Sequence, residues 1–131
     1  MKLTSFLTEN RRAYGIVTDS GVIDLSRLSE TPDNLCSALT DPGAEQLAVL
    51  GAGLAPDFTL DEISYAPPIT NPQKIICIGV NYVNRNEEYD DTALPPYPSV
   101  FLRTPGSLVG HRQSIVRPPE SEQFDYEGEI A

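Results

Sequence analysis

The chain has 131 residues, 40% of them hydrophobic and 8% aromatic with no Trp, and a net charge of −10. That length holds one domain, or one small domain with part of a second, and the apolar share is enough for a core. Nineteen carboxylates against nine Lys and Arg make a field that repels phosphate backbones and anionic lipid, so neither nucleic acid nor a membrane is expected as a partner.

No stretch approaches the ~20 apolar residues of a membrane span. The first seven residues lack the apolar run and cleavage site of a signal peptide, so a cytoplasmic protein is expected. Cys36 and Cys77 have no metal-type spacing and sit in apolar stretches, which predicts buried free thiols in a reducing compartment. The single histidine, His111, excludes a multi-His zinc site and restricts any Ser-His-Asp chemistry to one imidazole.

In chain order, residues 2–8 and 13–18 alternate as strands, and Asp19-Ser20-Gly21 turns into a third at 22–25, completing a meander. Thr31-Pro32 and Asp41-Pro42 each place a capping oxygen before a proline, predicting two helices, the second ended by Gly51. Residues 1–66 thus read as a small α+β module without a catalytic motif. Pro67-Pro68-Ile69-Thr70-Asn71-Pro72 suits neither helix nor inner strand, and a boundary is placed at this linker, 67–72.

A second unit is expected over 73–131. Residues 74–79 form a continuous apolar run, the pattern of a strand covered on both faces. Residues 81–91 are polar with some helical character, 99–103 and 113–117 read as strands, and 124–131 as a last one. With the sequence stopping inside that strand, the chain is expected to be the first piece of a longer protein.

The strongest chemical signal is Asp125-Tyr126-Glu127-Gly128-Glu129. In a strand, Asp125, Glu127 and Glu129 share a face at roughly 6.5–7 Å intervals, while Phe124, Tyr126 and Ile130 point the other way to be buried. Carboxylates in line repel unless solvated, paired with cations or bridged by a metal, so the pattern fits either a solvated edge or a metal site. Oxygen-only ligands favour Mg²⁺, Mn²⁺ or Ca²⁺ over zinc.

A second signal is Gly79-Val80-Asn81-Tyr82-Val83-Asn84-Arg85-Asn86-Glu87-Glu88-Tyr89, which leaves a buried strand through a glycine and turns polar at once, as active-site loops do. Arg85 and Glu88 would pair across one helical turn, and an ordinary solvated loop is the competing reading. Gly51-Ala52-Gly53 lacks a dinucleotide fingerprint, Gly106-Ser107 lacks the spacing of a nucleophile elbow, and His111 reads as a solvent-facing turn residue.

Residues 69–82, Tyr97-Pro98-Ser99-Val100-Phe101-Leu102-Arg103-Thr104-Pro105 and Asp125-Tyr126-Glu127-Gly128-Glu129-Ile130-Ala131 together resemble the opening of the catalytic domain of the fumarylacetoacetate hydrolase family. Residues 1–66 are similar, more loosely, to the small N-terminal module of many bacterial members. The resemblance implies an α+β, mainly β protein whose catalytic part is a rolled β-sheet, here incomplete, and which forms homodimers. It implies Mg²⁺ or Mn²⁺ held by Glu127 and Glu129, with a later aspartate beyond residue 131. Asn81, Tyr82 and Arg103 would face the substrate, a 2-oxo or 1,3-dicarbonyl acid of the kind met in aromatic catabolism. Its C–C bond would be hydrolysed through a metal-stabilised enolate, and relatives isomerise or decarboxylate at the same site.

Two departures follow. Many members read Asn-Tyr-x-x-His-x-x-Glu, in which the histidine and glutamate activate water. Here Asn81, Tyr82 and Glu88 match, but Arg85 stands in the histidine position and stays protonated, so it cannot be a base. Arg85 is then expected to grip a substrate carboxylate while Glu88 handles protons, with His111 the alternative base. The sequence also stops just past Glu129, so the 131 residues alone are expected to be inactive. A non-catalytic binding module is the competing class of function.

Overall fold

A computed structural model of the chain describes residues 1–9, 11–80, 97–124 and 128. The expected meander is present. Strands β1 (Lys2–Leu7), β2 (Arg12–Thr18) and β3 (Gly21–Asp24) pair antiparallel, with Phe6 opposite Ala13 and Ile16 opposite Ile23. A three-residue strand, β4 (Ser64–Ala66), joins the free side of β1 and sets the order β3-β2-β1-β4.

Period-two alternation gives this sheet two apolar faces. On one, Tyr14, Ile23 and Leu25 meet Leu35, Ala38 and Leu47 from helices α1 (Leu35–Thr40) and α2 (Ala44–Gly51). On the other, Phe6, Ala13 and Val22 lie under Ile63, Phe58 and Leu60. The Phe6 and Phe58 rings meet edge to face at 6.0 Å. Helices of six and eight residues do not hold themselves in water, so this burial is what keeps them formed. Gly21 (φ +154) lets the backbones touch at the β3 turn: a Cβ there would lie 2.2 Å from the Phe58 carbonyl oxygen, and the Val22 N–H donates to that same oxygen at 2.8 Å.

Both helices start later than their prolines suggested. The Asn34 side chain caps α1 by accepting from the Ser37 N–H at 2.9 Å, and Gly43 precedes α2, which ends at Gly51 as expected. Thr31 is not a cap because its hydroxyl donates to the carbonyls of Leu25 and Leu28, at 2.7 and 2.9 Å. Asp41 closes α1 instead, its N–H donating to the Ser37 carbonyl at 2.9 Å. Residues 25–27 form a 3₁₀ turn rather than extending β3.

The second sheet is a two-stranded antiparallel pair, β5 (Ile75–Gly79) with β6 (Ser99–Arg103), in which Ile76 faces Leu102 and Ile78 faces Val100. Burial on both faces is not observed: Ile76, Ile78, Val100 and Leu102 are 58%, 41%, 64% and 68% exposed. An apolar run reports what a strand is able to bury, and the described residues supply no layer for that face. The expected strand at 113–117 is absent, and Ile115 and Val116 are exposed, because no described strand lies beside them to complete a ladder. Phe124 is likewise outside any strand and exposed, so its expected burial is not found; of the segment that follows, only Gly128 is described. Both thiols are free, but Cys36 is exposed and Cys77 half-buried, since Cys36 falls on the outer side of α1.

Candidate functional site

Six of the eight residues singled out for chemistry, Asn81, Tyr82, Arg85, Glu88, Glu127 and Glu129, lie outside the described residues. The chain approaches the first four through β5, whose end is unusual. Val80 adopts φ +57, a left-handed backbone that a β-branched residue rarely takes. Such strain is stored where the surroundings dictate the direction of the chain, here the exit from β5 into the polar loop. Val80→Gly is expected to raise unfolding stability by about 1 kcal/mol in a denaturant titration. A loss of stability instead would show that Val80 packing outweighs the backbone cost.

Arg103 ends β6 with its guanidinium 4.7 Å from the centre of the Phe101 ring, exposed and fixed by that stacking. His111 is exposed in a turn, its ring edge to face with Tyr65 at 5.1 Å. No hydrogen bond, ion pair or ring contact joins Arg103 and His111 among the described residues. His111 therefore occupies the solvent-facing position its sequence context suggested. Among the described residues no group of three or more His, Cys, Asp or Glu side chains could hold a metal ion. For Glu127 and Glu129 the fit rests on donor chemistry: two carboxylates at a two-residue spacing suit a hard, oxygen-preferring dication.

Sequence reasoning missed the polar groups of the first sheet. Asp24 is fully buried, and its carboxylate accepts from the Arg11 guanidinium and from the Ser26 hydroxyl at 2.6 Å. Its N–H donates to Asp57 at 2.8 Å, and Asp57 pairs with Arg27 at 2.9 Å. Only the charge pattern of an exposed surface was visible at these positions. Tyr14 is buried, and its hydroxyl completes no hydrogen bond. Burial raises its phenol above the ordinary value; the nearby Thr31 hydroxyl opposes this, and the carboxylates of Asp24 and Asp33 add to it. The folded form therefore holds that proton more tightly, so its contribution to stability is present at neutral pH and lost as alkali ionises the phenol. A cleft of about 390 Å³ opens beside it, lined by Arg12, Asp33, Asn34, Cys36 and Asn71 among others.

Residues 74–131 match the family model described as fumarylacetoacetate (FAA) hydrolase C-terminal. The chain is 32% identical over 114 residues, 85% of its length, to "Oxaloacetate tautomerase FAHD2A, mitochondrial" of Bos taurus, and equally so to the Homo sapiens protein of that name. It is 45% identical over 69 residues, 53% of its length, to "Oxaloacetate tautomerase fahd2, mitochondrial" of Xenopus laevis. The chain spans 36% of the length of the Bos taurus and Homo sapiens relatives and 21% of the Xenopus laevis one. The motifs at 69–82, 97–105 and 125–131 and the match over 74–131 agree: the chain belongs to the fumarylacetoacetate hydrolase family.

Proposed function

We propose that the chain carries the opening part of a divalent-metal enzyme that interconverts the enol and keto forms of a 2-oxo dicarboxylic acid such as oxaloacetate. The observation that carries this reading is its likeness to oxaloacetate tautomerases over 85% of its length, extending well beyond the motifs of residues 74–131. Arg85 supports tautomerisation over C–C hydrolysis. Hydrolysis needs a base to deprotonate water, and a guanidinium cannot serve. Tautomerisation needs only that a proton leave one atom of the substrate and arrive at another, with no water consumed.

Glu127 and Glu129 would hold Mg²⁺ or Mn²⁺, with Ca²⁺ within the same chemistry. Such a cation polarises the 2-oxo carbonyl and lowers the energy of the enolate. The chain's own residues would do the rest. Arg85 and Arg103 offer forked donors to the substrate's second carboxylate, fixing which carbon faces the proton-transfer group. Asn81 and Tyr82 add neutral donors along the same wall. Glu88, withdrawn from water in a closed site, would take the C3 proton and return it to the enolate oxygen.

The test follows the decay of enol-oxaloacetate by its ultraviolet absorbance with the full-length gene product. Arg85→His is expected to raise KM roughly tenfold or more, as loss of a charge-assisted bond should, while the pH profile keeps its shape. Rapid hydrolysis of an acylpyruvate by that variant, or by the unaltered protein, would move the assignment to a C–C hydrolase.

A further inference from the structure

Beyond β6 the chain returns to the first sheet and fastens onto it. β4 is the edge strand, with no neighbour on its outer side. The Gly110 N–H donates to Gln113 Oε1 at 2.8 Å, closing a tight turn. The same side-chain amide donates through Nε2 to the Tyr65 carbonyl of β4 at 2.9 Å. Gly110 is buried so close to β4 that a Cβ on it would lie 2.1 Å from the Tyr65 carbonyl oxygen. His111 covers the Tyr65 ring at 5.1 Å, and Arg112, at φ +64, reaches Asp61 at 3.6 Å.

We propose that residues 110–113 are a clasp by which the first sheet positions the acidic segment 125–129, with Gln113 the positioning residue. Gln113 uses both ends of one planar amide, an acceptor inward and a donor outward, so it sets the turn and its docking together. The close approach of Gly110 makes the docking specific, because no other residue fits that gap. Without the clasp, the acidic segment is tethered to ordered structure only through the 22 residue steps from Arg103 to Asp125. With it, the tether is the 12 steps from Gln113. Nearly halving a tether lowers the cost of bringing its end to a fixed place by about 0.6 kcal/mol, roughly threefold in an equilibrium. The effect on metal binding rests on the site reading above; the clasp itself does not.

Gln113→Glu is the sharpest variant, since a carboxylate still accepts from Gly110 but cannot donate to the Tyr65 carbonyl. Gly110→Ala breaks the same docking sterically. In the full-length gene product, both are expected to speed amide exchange in the β1–β4 ladder at least threefold and to raise the Mn²⁺ Kd roughly threefold. Arg112→Ala, which removes an exposed and screened pair, should change neither. Exchange at the wild-type rate in both docking variants would overturn the clasp. Faster exchange with an unchanged Mn²⁺ Kd would overturn its positioning role. If Mn²⁺ binding proves indifferent to Glu127→Ala with Glu129→Ala, the site reading fails, and the clasp is decided by exchange alone.

Discussion

Alanine at both Glu127 and Glu129 is expected to lower the kcat/KM for enol–keto interconversion by about 10³-fold or more while leaving the fold of the first 66 residues intact. The magnitude follows from the role assigned to the pair. A dication polarising a carbonyl is worth several kcal/mol of transition-state stabilisation, and each ~1.4 kcal/mol is a factor of ten in rate. The double change also removes two of the three in-line carboxylates, whose mutual repulsion otherwise costs stability. Thermal stability without metal should therefore hold steady or rise. That combination, activity lost with stability kept, separates ligands from a solvated acidic edge. Activity within tenfold of the unaltered protein would mean that Asp125, Glu127 and Glu129 face solvent.

The largest effect on folding is expected from Arg11→Ala. Asp24 sits at 0% exposure, compensated by the Arg11 guanidinium and the Ser26 hydroxyl, and Arg11 also donates to Ser26 at 2.7 Å. Removing the cation leaves a buried carboxylate with one neutral donor. Breaking a fully buried pair costs about 3–5 kcal/mol; Arg11 is 44% exposed, so water relieves part of this, and about 2–3 kcal/mol is the expected loss. Arg11→Ala combined with Asp24→Asn, which removes the stranded charge, should recover most of that loss in urea titrations. If the double variant is no more stable than Arg11→Ala, the buried charge is not the source of the cost.

The sequence made the first sheet readable because its strands alternate cleanly and Asp19-Ser20-Gly21 can hardly be anything but a turn. Helix starts were less legible. Thr31 and Asp41 have capping chemistry, yet tertiary contacts claim the Thr31 hydroxyl for the Leu25 and Leu28 carbonyls and leave the cap to Asn34. Three residues are too few to show a period, so β4 could not be seen, and with it went the docking of Gly110 and Gln113. The apolar character of Ile75–Gly79 correctly marked a strand but overstated its burial, because hydrophobicity describes the residue and exposure depends on what lies opposite. At the candidate site, residue types were informative where spacing carries chemistry, as in Glu127 and Glu129. The environment of His111 and Arg103 was not, since Tyr65 lies 46 residues before His111 in sequence and Phe101 meets Arg103 only across a strand face.

The most direct test of the central claim is a calorimetric titration of Mn²⁺ into the full-length gene product, with and without saturating oxaloacetate. A site that binds the cation and the oxo acid together must couple them, so the oxo acid should tighten Mn²⁺ at least tenfold, about 1.4 kcal/mol, and Mn²⁺ should tighten the oxo acid equally. No saturable Mn²⁺ binding, or a Kd that oxaloacetate leaves unchanged, would contradict a metal-dependent enzyme and favour a non-catalytic module.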